Sequence, residues 1–131
     1  MNRGMSVLMA VLIMAVAGGA LALGLSSSHS AADGCKSNTT PAVQKIVIRG
    51  GTVSAAQVNA KLCDTLTITN QDKTLREVAF GEHDHHASYD GVAERVLQNG
   101  QSLTITLNKT GTYHWHDHLH DEVEGYFTVT K

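Results

Sequence analysis

Apolar and polar residues alternate in short segments from Lys45 to the end of the chain, and glycine or asparagine separates the segments. No stretch of this part has the 3.6-residue period of a helix, whereas side chains that alternate between two faces are typical of strands. In the segment TLTITN, for example, Leu66 and Ile68 share one face. The pattern predicts strands over residues 45–49, 57–62, 65–70, 76–80, 102–107, 112–116 and 126–130. Six or seven strands at this spacing favour an all-β protein, an antiparallel β-sandwich.

The N-terminal part differs from this pattern. Residues 5–25 contain no charge and follow Arg3. A run of this length is enough to span a bilayer as a hydrophobic helix, and it also resembles an export signal. We therefore expect residues 1–30 to be a signal peptide or an N-terminal membrane anchor. Residues 31–43 are small and polar and are expected to form a flexible linker. The folded domain is then residues 44–131, and it lies outside the cytoplasm, in the periplasm or on the outer face of the membrane.

Length and charge limit the function further. The chain has 131 residues, which suits one folded domain. Its net charge is −2 and it has no run of basic residues, which argues against a nucleic acid partner. Cys35 and Cys63 are its two cysteines. In an oxidising compartment the default is one disulfide that ties the linker to the domain. Metal binding by both thiolates is the alternative.

Histidine is the unusual feature of the composition. The chain has eight histidines, and four of them fall within residues 114–120. Alternation along the strand over residues 112–116 predicts that Tyr113 and Trp115 face the core, whereas His114 and His116 face outward. By the same alternation, Asp117 at the end of this strand faces the core.

A second His-rich segment, EHDHH, lies within residues 82–97. These residues fit no strand, and they are expected to form a long loop or to contain a helical turn over residues 92–97. Imidazole and carboxylate ligands suit Cu(II), zinc or nickel. Two His-rich segments that both include carboxylates favour a metal site over a solvated polar surface. The candidate ligands are His83, His85, His86, His114, His116, Asp117, His118 and His120.

The stretch from Lys45 to Lys131 resembles the cupredoxin family of small exported copper proteins. The resemblance rests on Asp64–Asp72 (DTLTITNQD), on the segments NGQSL and GTY, and on the final GYFTV strand. It implies a Greek-key β-sandwich. It also implies a copper site in the loop after GTY, where the family has a ligand Cys, a ligand His and an axial Met, with a further His upstream.

Laid on that family pattern, the chain keeps only part of the copper site. His120 falls on the ligand His, but Asp117 stands at the Cys position and Val123 at the Met position. The upstream His falls near Arg76. Blue-copper electron transfer depends on the copper–thiolate bond, so this activity is not expected. Asp117 and His120 would instead favour a tetragonal Cu(II) site with nitrogen and oxygen ligands, unless an ion pair between Arg76 and Asp117 replaces the metal.

Three functions follow from these observations. The leading hypothesis is an exported or membrane-anchored, cupredoxin-like protein that binds copper, with zinc or nickel as alternatives, in metal binding, delivery or resistance. Its expected ligands are His120, Asp117 and His118 with one or more of His83, His85 and His86, and His114 and His116 form a second candidate pair. A membrane metal-handling or redox protein is the expected partner. The alternative is a metal-free, partner-binding sandwich at the cell surface. An enzyme, such as a redox copper enzyme, is not expected, because no catalytic set can be named.

Overall fold

The structure is a computed structural model that describes Cys35 and residues 40–131. This part of the chain contains ten β-strands and no helix. In chain order the strands are β1 (Val43–Arg49), β2 (Thr52–Val53), β3 (Gln57–Lys61), β4 (Thr65–Asn70), β5 (Arg76–Glu82), β6 (His85–His86), β7 (Glu94–Leu97), β8 (Ser102–Thr106), β9 (Gly111–Asp117) and β10 (His120–Thr130).

Two sheets make up the sandwich, which confirms the predicted all-β class. One sheet has the order β2-β1-β4-β8, and the other has the order β3-β10-β9-β5-β6 with β7 paired to β5. The sandwich is mixed rather than antiparallel throughout, because β1 and β4 are parallel and so are β3 and β10. Side-chain alternation is the same for parallel and antiparallel partners, so the sequence pattern did not distinguish them.

The core forms between the two sheets from the apolar side chains of alternate positions. Leu66 and Ile68 of β4 are fully buried, as their shared face predicted. Trp115 of β9 and Phe127 of β10 are also fully buried, and the ring of Phe127 lies edge-on to Phe80 with the centroids 6.1 Å apart. Each of these side chains contributes about 1.5–3 kcal/mol when it is removed from water. The core therefore fixes which face of β9 is left for polar residues.

The stretch over residues 82–97 differs most from its prediction. It contains the short strands β6 and β7, and the helical turn expected over residues 92–97 is wrong, since Glu94–Leu97 pairs with β5 as an antiparallel strand. Three of the four β7 residues are exposed, so alternation does not mark the strand. β7 instead depends on its backbone pairing with β5.

The predicted N-terminal hydrophobic helix, whether signal or anchor, lies outside the described residues, as does most of the predicted linker. Within the described part, no helix is present that could span a membrane.

Candidate metal centre

Strand β9 presents its histidines on the face of the sheet opposite the core. Trp115 and Asp117 point inward and have no exposed surface, so His114 and His116 take the outer phase that alternation predicted. His116 is nevertheless only 2% exposed. Chain segments that follow β5 cover it, and these segments bring further histidines.

A sharp turn at Gly81 directs the chain over this face. Gly81 has a φ of +90°, and a Cβ atom there would meet the backbone of His85 and Ala87 at 2.7 Å. Glycine suits both requirements because it has no side chain. The following hairpin pairs β6 with Gly81 and Glu82 of β5. It carries His83 and His86 onto the outer face of β9.

Four imidazole rings meet at this position, and we call His83, His86, His116 and His118 the histidine cluster. The ring of His118 stacks on His83 with the centroids 4.6 Å apart and lies edge-on to His86 at 4.7 Å. His116 lies 5.4 Å from His83 and 5.3 Å from His86. One ring nitrogen each of His83, His116 and His118 lies within 4.8 Å of those of the other two. The cluster thus combines both His-rich segments of the sequence.

Carboxylates orient the two cluster histidines of the hairpin. Nδ1 of His83 lies 3.3 Å from Oδ1 of Asp121, and Nδ1 of His86 lies 3.2 Å from Oε2 of Glu94. An ionised carboxylate only accepts hydrogen bonds, so these contacts favour the tautomer with the proton on Nδ1. In the neutral imidazole, Nε2 is then the atom with a free lone pair.

Nδ1 of His116 also has an oxygen partner, which is a backbone carbonyl instead of a carboxylate. Its Nδ1 donates to the carbonyl oxygen of Gly81 at 3.1 Å, which leaves its Nε2 unprotonated in the neutral ring. Nε2 of His86, Nε2 of His116 and Nδ1 of His118 are all buried and have no hydrogen-bond partner. Buried polar atoms without a partner are costly. A metal ion is a partner that would satisfy several lone pairs at once.

The electrostatics of the cluster keep His116 neutral. Burial, followed by the neighbouring His114, lowers the pKa of His116 below its usual value, and the contact with the Gly81 carbonyl only partly opposes this. A metal binds the neutral form of imidazole. His116 is therefore in its ligand form at neutral pH.

Asp117, a predicted ligand, is instead saturated by hydrogen bonds. Its Oδ1 accepts from the backbone N–H groups of Glu77 at 2.9 Å and Leu119 at 3.1 Å. Its Oδ2 lies 2.9 Å from Nη1 of Arg76 and 3.1 Å from Nδ1 of His120. Burial alone would lower the pKa of Arg76, but Asp117 and a second carboxylate raise it, so the guanidinium stays charged. The ion pair between Arg76 and Asp117, which the sequence suggested as an alternative to a metal at Asp117, is thus present.

The remaining predicted ligands have other polar partners or are exposed, although His114 also stacks on His116 with the centroids 5.5 Å apart. His120 uses Nδ1 on Asp117, and His85 is exposed on β6. Nε2 of His114 lies 2.8 Å from Oε2 of Glu124, and its ring stacks on Tyr126. Of the eight candidates, the structure brings four together in the cluster, and His114 adjoins it.

Glu94 was not predicted as part of a site. Glu94 lies on the unpredicted strand β7, eight positions beyond His86. No spacing in the sequence connects the two residues, because their contact depends on the pairing of β7 with β5.

Comparison with known proteins agrees with this fold. The sequence pattern of the cupredoxin-like domain matches residues 12–129. Among solved structures, a purple cupredoxin from Nitrosopumilus maritimus superposes with a TM-score of 0.57 at 18% identity, covering 66% of this chain and 99% of its own. A methionine-to-alanine variant of amicyanin with Cu(I) gives 0.57 at 21% identity and covers 71% and 87%. No curated protein matches the sequence significantly. The family pattern covers most of the chain, so the protein belongs to the cupredoxin-like domain family.

Proposed function

We propose that this protein binds copper through the histidine cluster on the outer face of β9, in copper binding, delivery or resistance. The observation that carries the proposal is that one ring nitrogen each of His83, His116 and His118 lies within 4.8 Å of those of the other two, and that Nε2 of His116 and Nδ1 of His118 are buried without a hydrogen-bond partner. The hydrogen bonding of the second ring nitrogens supports it. Metal-ligating histidines usually donate their other N–H to a carboxylate or a backbone carbonyl, as His116 does to Gly81, and Nδ1 of both His83 and His86 has a carboxylate oxygen nearby.

Copper is the proposed metal because imidazole suits it and because amicyanin, a protein of the same fold, is described with Cu(I). The expected set is His83, His116 and His118, with His86 as a fourth nitrogen donor. This set contains no thiolate, so we do not propose blue-copper electron transfer. The role of the chain's own residues is to hold three or four imidazoles in a partly buried position.

The cellular setting belongs to the proposal as well. Residues 1–30 act as a signal peptide or membrane anchor, residues 31–43 as a linker and residues 44–131 as the copper-binding domain. The domain then lies outside the cytoplasm, and a membrane metal-handling or redox protein is its proposed partner. The uncharged residues 5–25 after Arg3 support this organisation.

Titration of the full chain with Cu(II), followed by calorimetry and electron paramagnetic resonance, tests the proposal. We expect one tight equivalent with a spectrum of nitrogen ligands, lost in His116→Ala and His118→Ala. His85→Ala and His120→Ala are matched controls and are expected to bind as the wild type does. Loss of binding in His120→Ala alone would instead favour the loop position of the family's copper site.

A metal-free sandwich that binds a partner is the second candidate function. The observation that favours it is the saturated Asp117, which occupies the position that the resemblance assigns to the ligand Cys. The same titration distinguishes the two functions. Weak binding at no fixed ratio, unchanged by His116→Ala, would support the metal-free function.

A further inference from the structure

The two cysteines contact each other at the end of the sandwich away from the histidine cluster. Cys63 lies between β3 and β4, and its backbone N–H donates to the carbonyl oxygen of Leu107 at 2.8 Å. Both cysteines are free thiols in the structure, and the side chain of Cys35 lies beside that of Cys63. Strand β9 begins at this end of the sandwich with Gly111 and ends at Asp117, beside the cluster. The thiols are therefore separate from the proposed copper ligands.

The backbone at Cys63 is unusual for a residue with a side chain. Its φ is +77°, in the left-handed region that glycine enters freely and other residues enter only at a cost in energy. The resemblance to the cupredoxins likewise implies glycine at this position. The side chain of Cys63 is 7% exposed and contacts Cys35. A covalent bond of the Cys63 sulfur would offset the energetic cost of this backbone conformation.

A soft metal ion is the other group that two adjacent thiols could bind, and the local electrostatics oppose it. Burial, followed by the contact with Cys63, raises the pKa of Cys35 to about 11. A metal would bind both sulfurs as thiolates side by side, whereas thiol–disulfide exchange needs only one ionised sulfur at a time. A high pKa also makes a sulfur a poor leaving group, so a disulfide with this sulfur is broken slowly by other thiols.

We propose that Cys35 and Cys63 form a disulfide that fastens the chain before β1 to the end of the sandwich opposite the histidine cluster. It forms by exchange with a disulfide of a second protein or of glutathione. One cysteine attacks as the thiolate and gives a mixed disulfide, and the other cysteine then displaces the donor's remaining sulfur. The two cysteines lose two protons and two electrons in total, and the donor disulfide is reduced to two thiols.

Thiol trapping on the full chain tests this directly. The chain is equilibrated with glutathione disulfide, alkylated with and without prior reduction, and analysed by mass spectrometry. We expect a product lighter by two hydrogens, no alkylation before reduction, and a linked peptide that contains both cysteines. Cys35→Ser is the control and should leave the Cys63 thiol unable to form the intramolecular bond. Alkylation of both cysteines in the oxidised wild type would overturn the proposal.

A second measurement distinguishes the disulfide from packing of two thiols. The closed loop has roughly 29 residues, and for this length the disulfide raises the folding equilibrium constant by about several hundredfold. Cys63→Gly removes the backbone cost but also the bond. Oxidised wild type is therefore expected to have a higher urea midpoint than Cys63→Gly, and reduction is expected to reverse this order. The same order in both conditions would contradict the disulfide, whatever the outcome of the copper titration.

Discussion

Replacement of Asp117 by asparagine tests whether the buried ion pair stabilises the fold without taking part in copper binding. The side chain of Asp117 has no exposed surface, and that of Arg76 is only 5% exposed. Asparagine has nearly the same shape and can still accept from the backbone N–H groups of Glu77 and Leu119. Its amide nitrogen, however, would replace the oxygen that faces Arg76 and His120, so donor would face donor.

The expected cost of Asp117→Asn is large because it leaves a buried guanidinium without its main partner. Removal of one member of a buried ion pair costs about 3–5 kcal/mol. Arg76 keeps a second carboxylate, Asp72, at 2.7 Å, which favours the lower end of that range. We therefore expect a loss of about 3 kcal/mol, a fall in melting temperature of roughly 15 °C for a domain of this size. Urea unfolding followed by far-UV circular dichroism measures it.

A double variant separates the ion pair from the rest of the contacts. Arg76→Met leaves Asp117 charged and buried, so it is expected to cost about as much as Asp117→Asn. Arg76→Met combined with Asp117→Leu removes both charges, and its cost is expected to be well below the sum of the single changes. Additive costs, or a cost below about 1 kcal/mol for Asp117→Asn, would refute the reasoning. Copper affinity is expected to stay unchanged in Asp117→Asn, and its loss would return Asp117 to the ligand set.

Three further results are expected. Gly81→Ala should lower the free energy of unfolding by about 1–3 kcal/mol and weaken copper binding, because a Cβ there would meet two backbone atoms at 2.7 Å; copper affinity equal to wild type would contradict a role for this turn. Asp121→Asn should weaken copper binding about 10–100-fold in calorimetry, with Glu122→Gln as the unchanged control; equal affinities would show that orientation by Asp121 is not needed. Burial alone would raise the pKa of Asp64, but hydrogen bonds from two backbone N–H groups hold it below its usual value. Its carboxylate therefore stabilises the fold above the unfolded-state pKa of about 3.9, and this stability is lost as the pH falls further. Asp64→Asn should be less stable at neutral pH and show a flatter pH dependence of unfolding between pH 5 and 2, and an unchanged dependence would argue against this role.

The sequence predicted those strands whose two faces differ most in burial. Residues 65–70 alternate without interruption, and β4 has these bounds. β7 was missed because Glu94, Arg95 and Val96 are all exposed, so only its hydrogen bonds to β5 identify it as a strand. Alternation also predicted that His114 and His116 share the outer face of β9.

The histidine cluster itself could not be predicted from spacing along the chain. His83 and His86 meet His116 and His118 because the chain turns back at Gly81 after β5. The sequence contains many glycines, and nothing marks this one as the turn. The two His-rich segments were both identified, but how they meet is a property of the hairpin and not of either segment.

The Arg76–Asp117 pair also has a consequence for how this chain could change during evolution. If Asp117 were replaced by cysteine, the residue that the family resemblance implies there, Arg76 would be left buried without its main partner. If Arg76 were replaced by histidine, the carboxylate of Asp117 would lose its main cationic partner. Each single step toward a thiolate site therefore passes through a destabilised intermediate. Descendants of this chain are therefore expected to keep both residues or to exchange both.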